Sequence, residues 1–252
     1  KKIISRINGF HGATLGAASL SGIPVMHKAF DLPIKDIIHI TEPNWFHNAY
    51  IGENSNDFTN RLVEELENTI ISEGPETIAG FIAEPISGAG GVIIPPSNYY
   101  PRIQKILDHH DIMFFADEVI CGFGRTGKMW GCESMDIQPS TMTLAKSLTS
   151  GYQPLSALVI NDIMYQGMEK GCDNIGFFGH GTTYGGHPVS CAVALKVLDI
   201  FESRNMLKHI SKVSAHFEKR IAEFKKHPLV GNVRSKGLLG AIELVADKNK
   251  KR

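Results

Sequence analysis

Two residues near the middle of the chain could do amine chemistry together, the acid Asp117 and the lysine Lys146. A short apolar run, Ile112-Met113-Phe114-Phe115-Ala116, ends abruptly in Asp117 and Glu118. A second β-prone run, Thr141-Met142-Thr143-Leu144-Ala145, ends in Lys146. Runs this short and this apolar read as strands buried on both faces, the kind found in parallel sheets. Ligands of open α/β sheets sit beyond the carboxyl ends of the strands, so the two runs would deliver an acid and an amine to one crevice. A lysine is usually a solvated surface charge. At the end of a buried strand, desolvation would favour the neutral amine, which can form an imine. An isolated Asp at a strand end commonly caps a helix or stabilises a loop. A buried carboxylate needs a cationic partner, and a protonated ring nitrogen would serve. At about 4 Å and an effective dielectric near 20, such a pair attracts by roughly 4 kcal/mol.

Other candidates carry less. Gly122-x-Gly124-x-x-Gly127 follows a strand as a dinucleotide fingerprint would, yet Lys-Met-Trp-Gly-Cys opens no convincing helix after it. No acid ends a strand about 20 residues on, as a ribose contact requires. A loop with tight turns accounts for these glycines. Asp108-His109-His110-Asp111 holds four metal-capable side chains, but neighbouring positions on a helix point to different faces. They read as a solvated helix end. Neither H-E-x-x-H nor G-x-S-x-G occurs, and no metal site is expected.

The elements that must position Asp117 and Lys146 follow from the pattern. Strands are expected at 3–7, 36–40, 78–83, 112–116, 141–145, 155–160 and 238–245. Helices are expected at 13–20, 57–73, 100–110 and from Pro188 to about 200, with a further one carrying Leu207, Ile210, Val213, Phe217, Ile221 and Phe224. Residues 41–56 show no clean period and read as a long loop. Strands alternating with helices imply βαβ units and a mainly parallel α/β sheet. Residues 1–203 would form this large unit, and 204–252 the start of a smaller α+β one.

An apolar content of 42% is ample for a core, and 21% charged residues argue against disorder. A formal net charge of zero gives no electrostatic reason to expect nucleic acid or an anionic membrane as partner. Cys121, Cys132, Cys172 and Cys191 form no C-x-x-C pair, which suits a reduced, cytoplasmic compartment. The chain opens on Lys-Lys-Ile-Ile and closes on Asp247-Lys-Asn-Lys-Lys-Arg252, and is expected to be a piece of a longer protein.

The run Asp117-Glu118-Val119-Ile120-Cys121-Gly122-Phe123-Gly124-Arg125-Thr126-Gly127, followed by Thr143-Leu144-Ala145-Lys146, resembles the signature of class III pyridoxal-phosphate aminotransferases. So do Phe10-His11-Gly12, Ala83-Glu84-Pro85-Ile86 and Gly181-Thr182-Thr183-Tyr184-Gly185-Gly186-His187-Pro188. Within that family the chain is most similar to the omega-amino-acid (amine):pyruvate transaminases.

The resemblance implies a fold-type-I large domain and pyridoxal 5'-phosphate as cofactor. Lys146 would hold the cofactor covalently, then act as the base that moves a proton, a role that typically contributes about 10²–10⁴-fold. Asp117 would pair with the ring nitrogen, Val119 would pack on one ring face and Phe10 on the other. His11 and Gly12 belong to the same cofactor-binding motif, and Glu84 would be a polar wall near the ring hydroxyl. Thr183 would bind the phosphate from across a homodimer interface. Trp45 and Tyr152 mark the loops expected to shape the substrate pocket. Many family members have tyrosine where this chain has Phe10, which keeps stacking and loses a hydroxyl. Members that use 2-oxoglutarate often carry an acid where this chain has Ala89, which favours pyruvate as acceptor. The family's Ser/Gly-rich phosphate cup and arginine-bearing C-terminal domain lie outside these residues. The implied activity is transfer of an amino group from an amine or omega-amino acid to a keto acid. An aminomutase, a decarboxylase or a non-catalytic fragment are the alternatives.

Overall fold

Six strands form one sheet in the order β2-β1-β3-β4-β5-β6, comprising β1 (Lys2–Arg6), β2 (Ile37–Ile40), β3 (Ile78–Ala83), β4 (Met113–Asp117), β5 (Thr141–Leu144) and β6 (Ala157–Ile160). The computed structural model describes residues 1–248; residues 249–252, the end of the expected smaller unit, lie outside them. Every pairing from β2 to β5 is parallel, and only β6 runs antiparallel. The carboxyl ends of β1, β3, β4 and β5 therefore share one edge.

Helices follow the strands: α1 (Leu15–Leu20), α2 (Pro24–Lys28), α3 (Trp45–Asn48), α4 (Ser55–Glu73), α5 (Tyr99–His109), α6 (Gly131–Met135), α7 (Asp162–Ile175), α8 (Pro188–Ser203) and α9 (Met206–Ala222). In α4 the apolar side chains Phe58, Leu62, Leu66 and Ile70 recur every fourth residue and are all buried. The side chain of Asn54 caps the amides of Asn56 and Asp57 at its start, and Gly74, at φ +83°, ends it. With Ile103 and Leu107 of α5 this stripe covers one face of the sheet, where Phe81 and Phe114 meet edge to face at 5.5 Å. Full burial of one such side chain contributes about 1.5–3 kcal/mol. In β4, Phe114 and Ala116 are buried while Met113 and Phe115 are half-covered, so the second face is less enclosed than a run apolar throughout suggests.

A separate antiparallel pair, β7 (Val230–Lys236) and β8 (Leu239–Leu244), packs with α9. Arg234 Nε and Nη2 both donate to the carbonyl of Gly91, at 3.1 and 2.8 Å, and Leu238 N donates to the carbonyl of Arg125 at 2.8 Å. These bonds hold the hairpin against loops at the edge where β1, β3, β4 and β5 end.

Several expectations are corrected. The stretch 41–56 is not all loop, because Asn44 accepts from His47 N and winds Trp45–Asn48 into a turn of helix, and α4 begins at Ser55. The strand expected at 155–160 is shorter, Ala157–Ile160, and lies exposed at the sheet edge. Two further elements lie outside the expected set: α7, whose Met164, Met168 and Cys172 recur every fourth residue as its half-buried side chains, and β7, which lacks a clean alternation. Asp108 to Asp111 do form the end of α5 and the turn after it, and no metal-holding cluster of three or more His, Cys, Asp or Glu side chains is found among the described residues.

Candidate active site

Four neighbouring strands each deliver part of the site to the same edge. The loop after β1 carries Phe10, His11 and Gly12; Glu84 follows β3; Asp117 ends β4; and Lys146 stands two residues after β5. Asp117 is in register with Thr143, so the chain needs only three further residues to reach Lys146 on the adjacent strand.

Asp117 is 5% exposed. Its Oδ2 accepts from His11 Nδ1 at 2.8 Å and its Oδ1 from Val119 N at 3.0 Å. No lysine or arginine lies within salt-bridge distance of it among the described residues. Glu118, the next residue, is wholly buried and turns away, accepting from Gly131 N at 2.9 Å and Cys132 N at 2.7 Å. Burial pushes the Glu118 carboxyl up, and the two amides pull against that shift.

Lys146 departs from expectation in one respect: it is exposed. The strand stops at Leu144, and the chain lifts away into a 3-10 turn, Lys146–Thr149, with Lys146 at φ +43°. Its ammonium has no hydrogen-bond or ion-pair partner among the described residues. It lines a cavity of about 530 Å³ with Val119, Ile120, Arg125, Ser147 and Ser150. Arg125 and the Ser147–Ser150 turn were not singled out by sequence; the hydroxyl-rich turn straight after Lys146 was the available signal.

Glu84 is a clamp between loops. Its carboxylate accepts from Phe10 N at 3.0 Å and Gly88 N at 2.8 Å, while its carbonyl accepts from Arg6 Nη2 at 2.7 Å and the Tyr100 hydroxyl at 2.6 Å. Burial raises the Glu84 carboxyl above the usual range, the amides of Gly88 and Phe10 and nearby His11 lower it, and Asp117 raises it. The buried guanidinium of Arg6, unnoticed in the sequence, also donates to Tyr100 at 2.9 Å.

Trp45, Tyr152 and Thr183 are not brought onto the cavity of Lys146. Trp45 packs edge-on to Phe58 at 5.2 Å, while its neighbours Asn44, His47 and Asn48 line a separate cavity of about 730 Å³ with Ala89 and Arg234. Tyr152 is exposed, one residue beyond cavity-lining Gly151. Thr183 lies on an exposed loop between α7 and α8.

The site has the makings of a holder for a cationic ring. Among the described residues Asp117 is a buried carboxylate that no lysine or arginine neutralises, and Lys146, on the neighbouring strand's exit, is an unpartnered amine on a cavity within the usual ligand-pocket range of about 300–1,000 Å³.

The profile described as Aminotransferase class-III matches residues 1–252. The chain belongs to the class III aminotransferase family, and its mainly parallel sheet is that of the fold-type-I pyridoxal-phosphate-dependent transferases. Among its relatives, gamma aminobutyrate transaminase 3, chloroplastic, of Solanum lycopersicum is 46% identical over 253 residues, covering 99% of this chain and 48% of that protein. Vanillin aminotransferase of Capsicum frutescens is 44% identical over 249 residues, covering 99% and 54%. A solved omega transaminase from Pseudomonas jessenii in complex with PMP superposes with a TM-score of 0.98 at 47% identity, covering all of this chain and 55% of that one. A structure described as a transaminase with L-Ala gives 0.98 at 46% identity, covering all of this chain and 59% of that one. The chain spans about half the length of the curated relatives it matches.

Proposed function

We propose that this chain is the cofactor-holding part of a pyridoxal-phosphate-dependent aminotransferase that moves an amino group from an amine or omega-amino acid to a keto acid, pyruvate foremost. One observation carries the reading: adjacent parallel strands β4 and β5 bring a buried carboxylate and an unpartnered lysine to one edge. When bound, the cofactor supplies the carbonyl that receives the amino group and a ring that draws electrons from the reacting carbon. Lys146 Nζ is the group that holds it covalently and, once displaced, moves a proton as the base. Asp117 opposes positive charge on the ring nitrogen, Val119 and Phe10 flank the ring, and Glu84 fixes the backbone of Phe10. The names of relatives support an omega-amino acid as donor, since gamma-aminobutyrate is one. Pyruvate is supported by the transaminase solved with L-alanine, the amino form of that acid.

Residues 1–203 are assigned to the large domain and 204–252 to a smaller one. A homodimer, with Thr183 reaching the partner's phosphate site, is supported by the exposure of Phe177, Phe178 and Tyr184 on the loop that carries it.

Borohydride reduction of the protein with pyridoxal 5'-phosphate, followed by mass mapping, should place the adduct on Lys146. A visible yellow band should be present in the parent and lost in Lys146→Ala. An adduct elsewhere, or a band that survives the substitution, would sink the assignment. Alanine formation from pyruvate and an amine donor separates transamination from aminomutase or decarboxylase chemistry.

A further inference from the structure

The cavity of about 730 Å³ between the C-terminal hairpin and the loops after β1, β2 and β3 has no task in the mechanism above. Asn8, Glu42 and His47 line it from the sheet side, and Arg234 and Glu243 from the hairpin. Both oxygens of Glu243 are engaged, one with His47 Nε2 and the other with Arg234 Nη1. Arg234 also donates from Nε and Nη2 to the carbonyl of Gly91, at 3.1 and 2.8 Å. Glu42 is the exception. It is 5% exposed, its Oε1 accepts from Asn8 Nδ2 at 3.0 Å, and its Oε2 has no hydrogen-bond partner among the described residues. Arg6 and His47 attract the carboxylate, but neither stands within salt-bridge distance of it among the described residues. Arg6 is turned instead to Tyr100, Ser87 and the carbonyl of Glu84. A buried acceptor left without a donor costs the fold about 1–3 kcal/mol, and more when it is charged. With Arg234 offset by Glu243, the wall is left with one negative charge, that of Glu42. Ile23, Ile242 and Leu244 add apolar surface to the same cavity.

We propose that this cavity is a binding site for a small primary ammonium compound with a short hydrocarbon body, its ammonium held by Glu42. An ammonium brings three N–H donors and a positive charge. It supplies the donor that Oε2 lacks and the charge that the wall leaves unbalanced, and hydrogen bonds between ionised groups are the strong ones. The last torsion of a glutamate is broad, so the enclosed carboxylate can tilt Oε2 toward the cavity. The hydrocarbon body lies against Ile23, Ile242 and Leu244. An anionic ligand would instead meet an unbalanced acid and an arginine already bonded to Gly91 and Glu243. None of the residues lining this cavity lines that of Lys146. The site therefore stands whether or not Lys146 carries a cofactor.

The test is calorimetric titration of the full chain at pH 8 with n-butylammonium, and with n-butanol and butyrate as neutral and anionic probes of matched length. The parent should bind n-butylammonium at least about 10-fold more tightly than either of the others, since only it satisfies a charged acceptor. Glu42→Gln keeps the shape of the side chain. With its carbonyl oxygen on Asn8, the glutamine turns an NH₂ toward the ligand, a donor where an acceptor is needed. Affinity for n-butylammonium should fall about 10-fold to 100-fold in that variant. Lys146→Ala should bind the probe as the parent does. No binding to the parent, equal binding of butanol or butyrate, or an unchanged affinity in Glu42→Gln each overturns the proposal. A probe that Lys146→Ala no longer binds occupies the other cavity, and overturns it equally. The comparison of three probes on the parent needs no variant, so it decides the matter even where Glu42→Gln fails to fold.

Discussion

Adjacent acids at the end of β4 do different work, and the difference is set by which amides they meet. Glu118 bonds the backbone of Gly131 and Cys132 and so ties the glycine-rich loop to the start of α6. Glu118→Ala would leave two buried amides without an acceptor, an expected loss of about 2–6 kcal/mol at about 1–3 kcal/mol per orphaned group, read from urea unfolding. Glu42 makes the opposite case. It is buried, its Oε1 accepts from Asn8 Nδ2 at 3.0 Å, and its Oε2 has no hydrogen-bond partner among the described residues. Burial raises the carboxyl above its ordinary value, so the folded chain keeps the proton to higher pH than the unfolded chain does. The sign follows: its contribution to stability is intact at low pH and fades as pH climbs from the unfolded value through the raised folded one. Glu42→Gln should flatten that fall and raise stability at pH 8 by about 1 kcal/mol, seen as a higher melting temperature. A variant that melts lower than its parent at pH 8 would count against this account.

At the scale of elements, the sequence could be read wherever burial was one-sided and regular. The four-residue spacing of Phe58, Leu62, Leu66 and Ile70 announces α4, and the apolar run into Asp117 announces β4, because each must cover a core face. Helix α7 escapes notice because its stripe, Met164, Met168 and Cys172, is only half-buried and is interrupted by Gly167 and Gly171. The edge strand β6 is exposed although its apolar run announces it, and β7 is defined by its pairing to β8 rather than by alternation. At the site, the positions of Asp117 and Lys146 were legible from strand ends, whereas the His11–Asp117 bond joins residues 106 apart and no local pattern encodes it. Gly80 shows how close the packing is between β3 and β4. A Cβ there would stand 2.4 Å from Phe115 Cε2 and 3.0 Å from the carbonyl of Met113. Gly80→Ala should cost about 1–3 kcal/mol, and pairing it with Phe115→Leu should recover part of the loss in a double-mutant cycle.

For the molecule as a whole, the C-terminal hairpin and the large sheet are joined near the edge that carries the site. Arg234 is central to the join, donating twice to Gly91 and pairing with Glu243, which also meets His47 before α4. Arg234→Met should loosen the hairpin without melting the six-stranded sheet. Faster proteolysis at 225–238 with the main unfolding transition lowered by no more than about 1–3 kcal/mol is the expected pattern. Cleavage at the parental rate would show that α9 and the Leu238–Arg125 bond suffice.

The backbone of Lys146, at φ +43°, lies in a region that a side chain with a Cβ enters only at a cost of about 1–3 kcal/mol. Glycine would enter it freely, so the residue proposed to carry the chemistry is also one the fold would be better off without. Lys146→Gly should abolish the reaction and yet give a sturdier protein, which makes this position a standing temptation for drift. A relative that has lost its lysine should be recognised by its higher melting point before its inactivity is ever assayed.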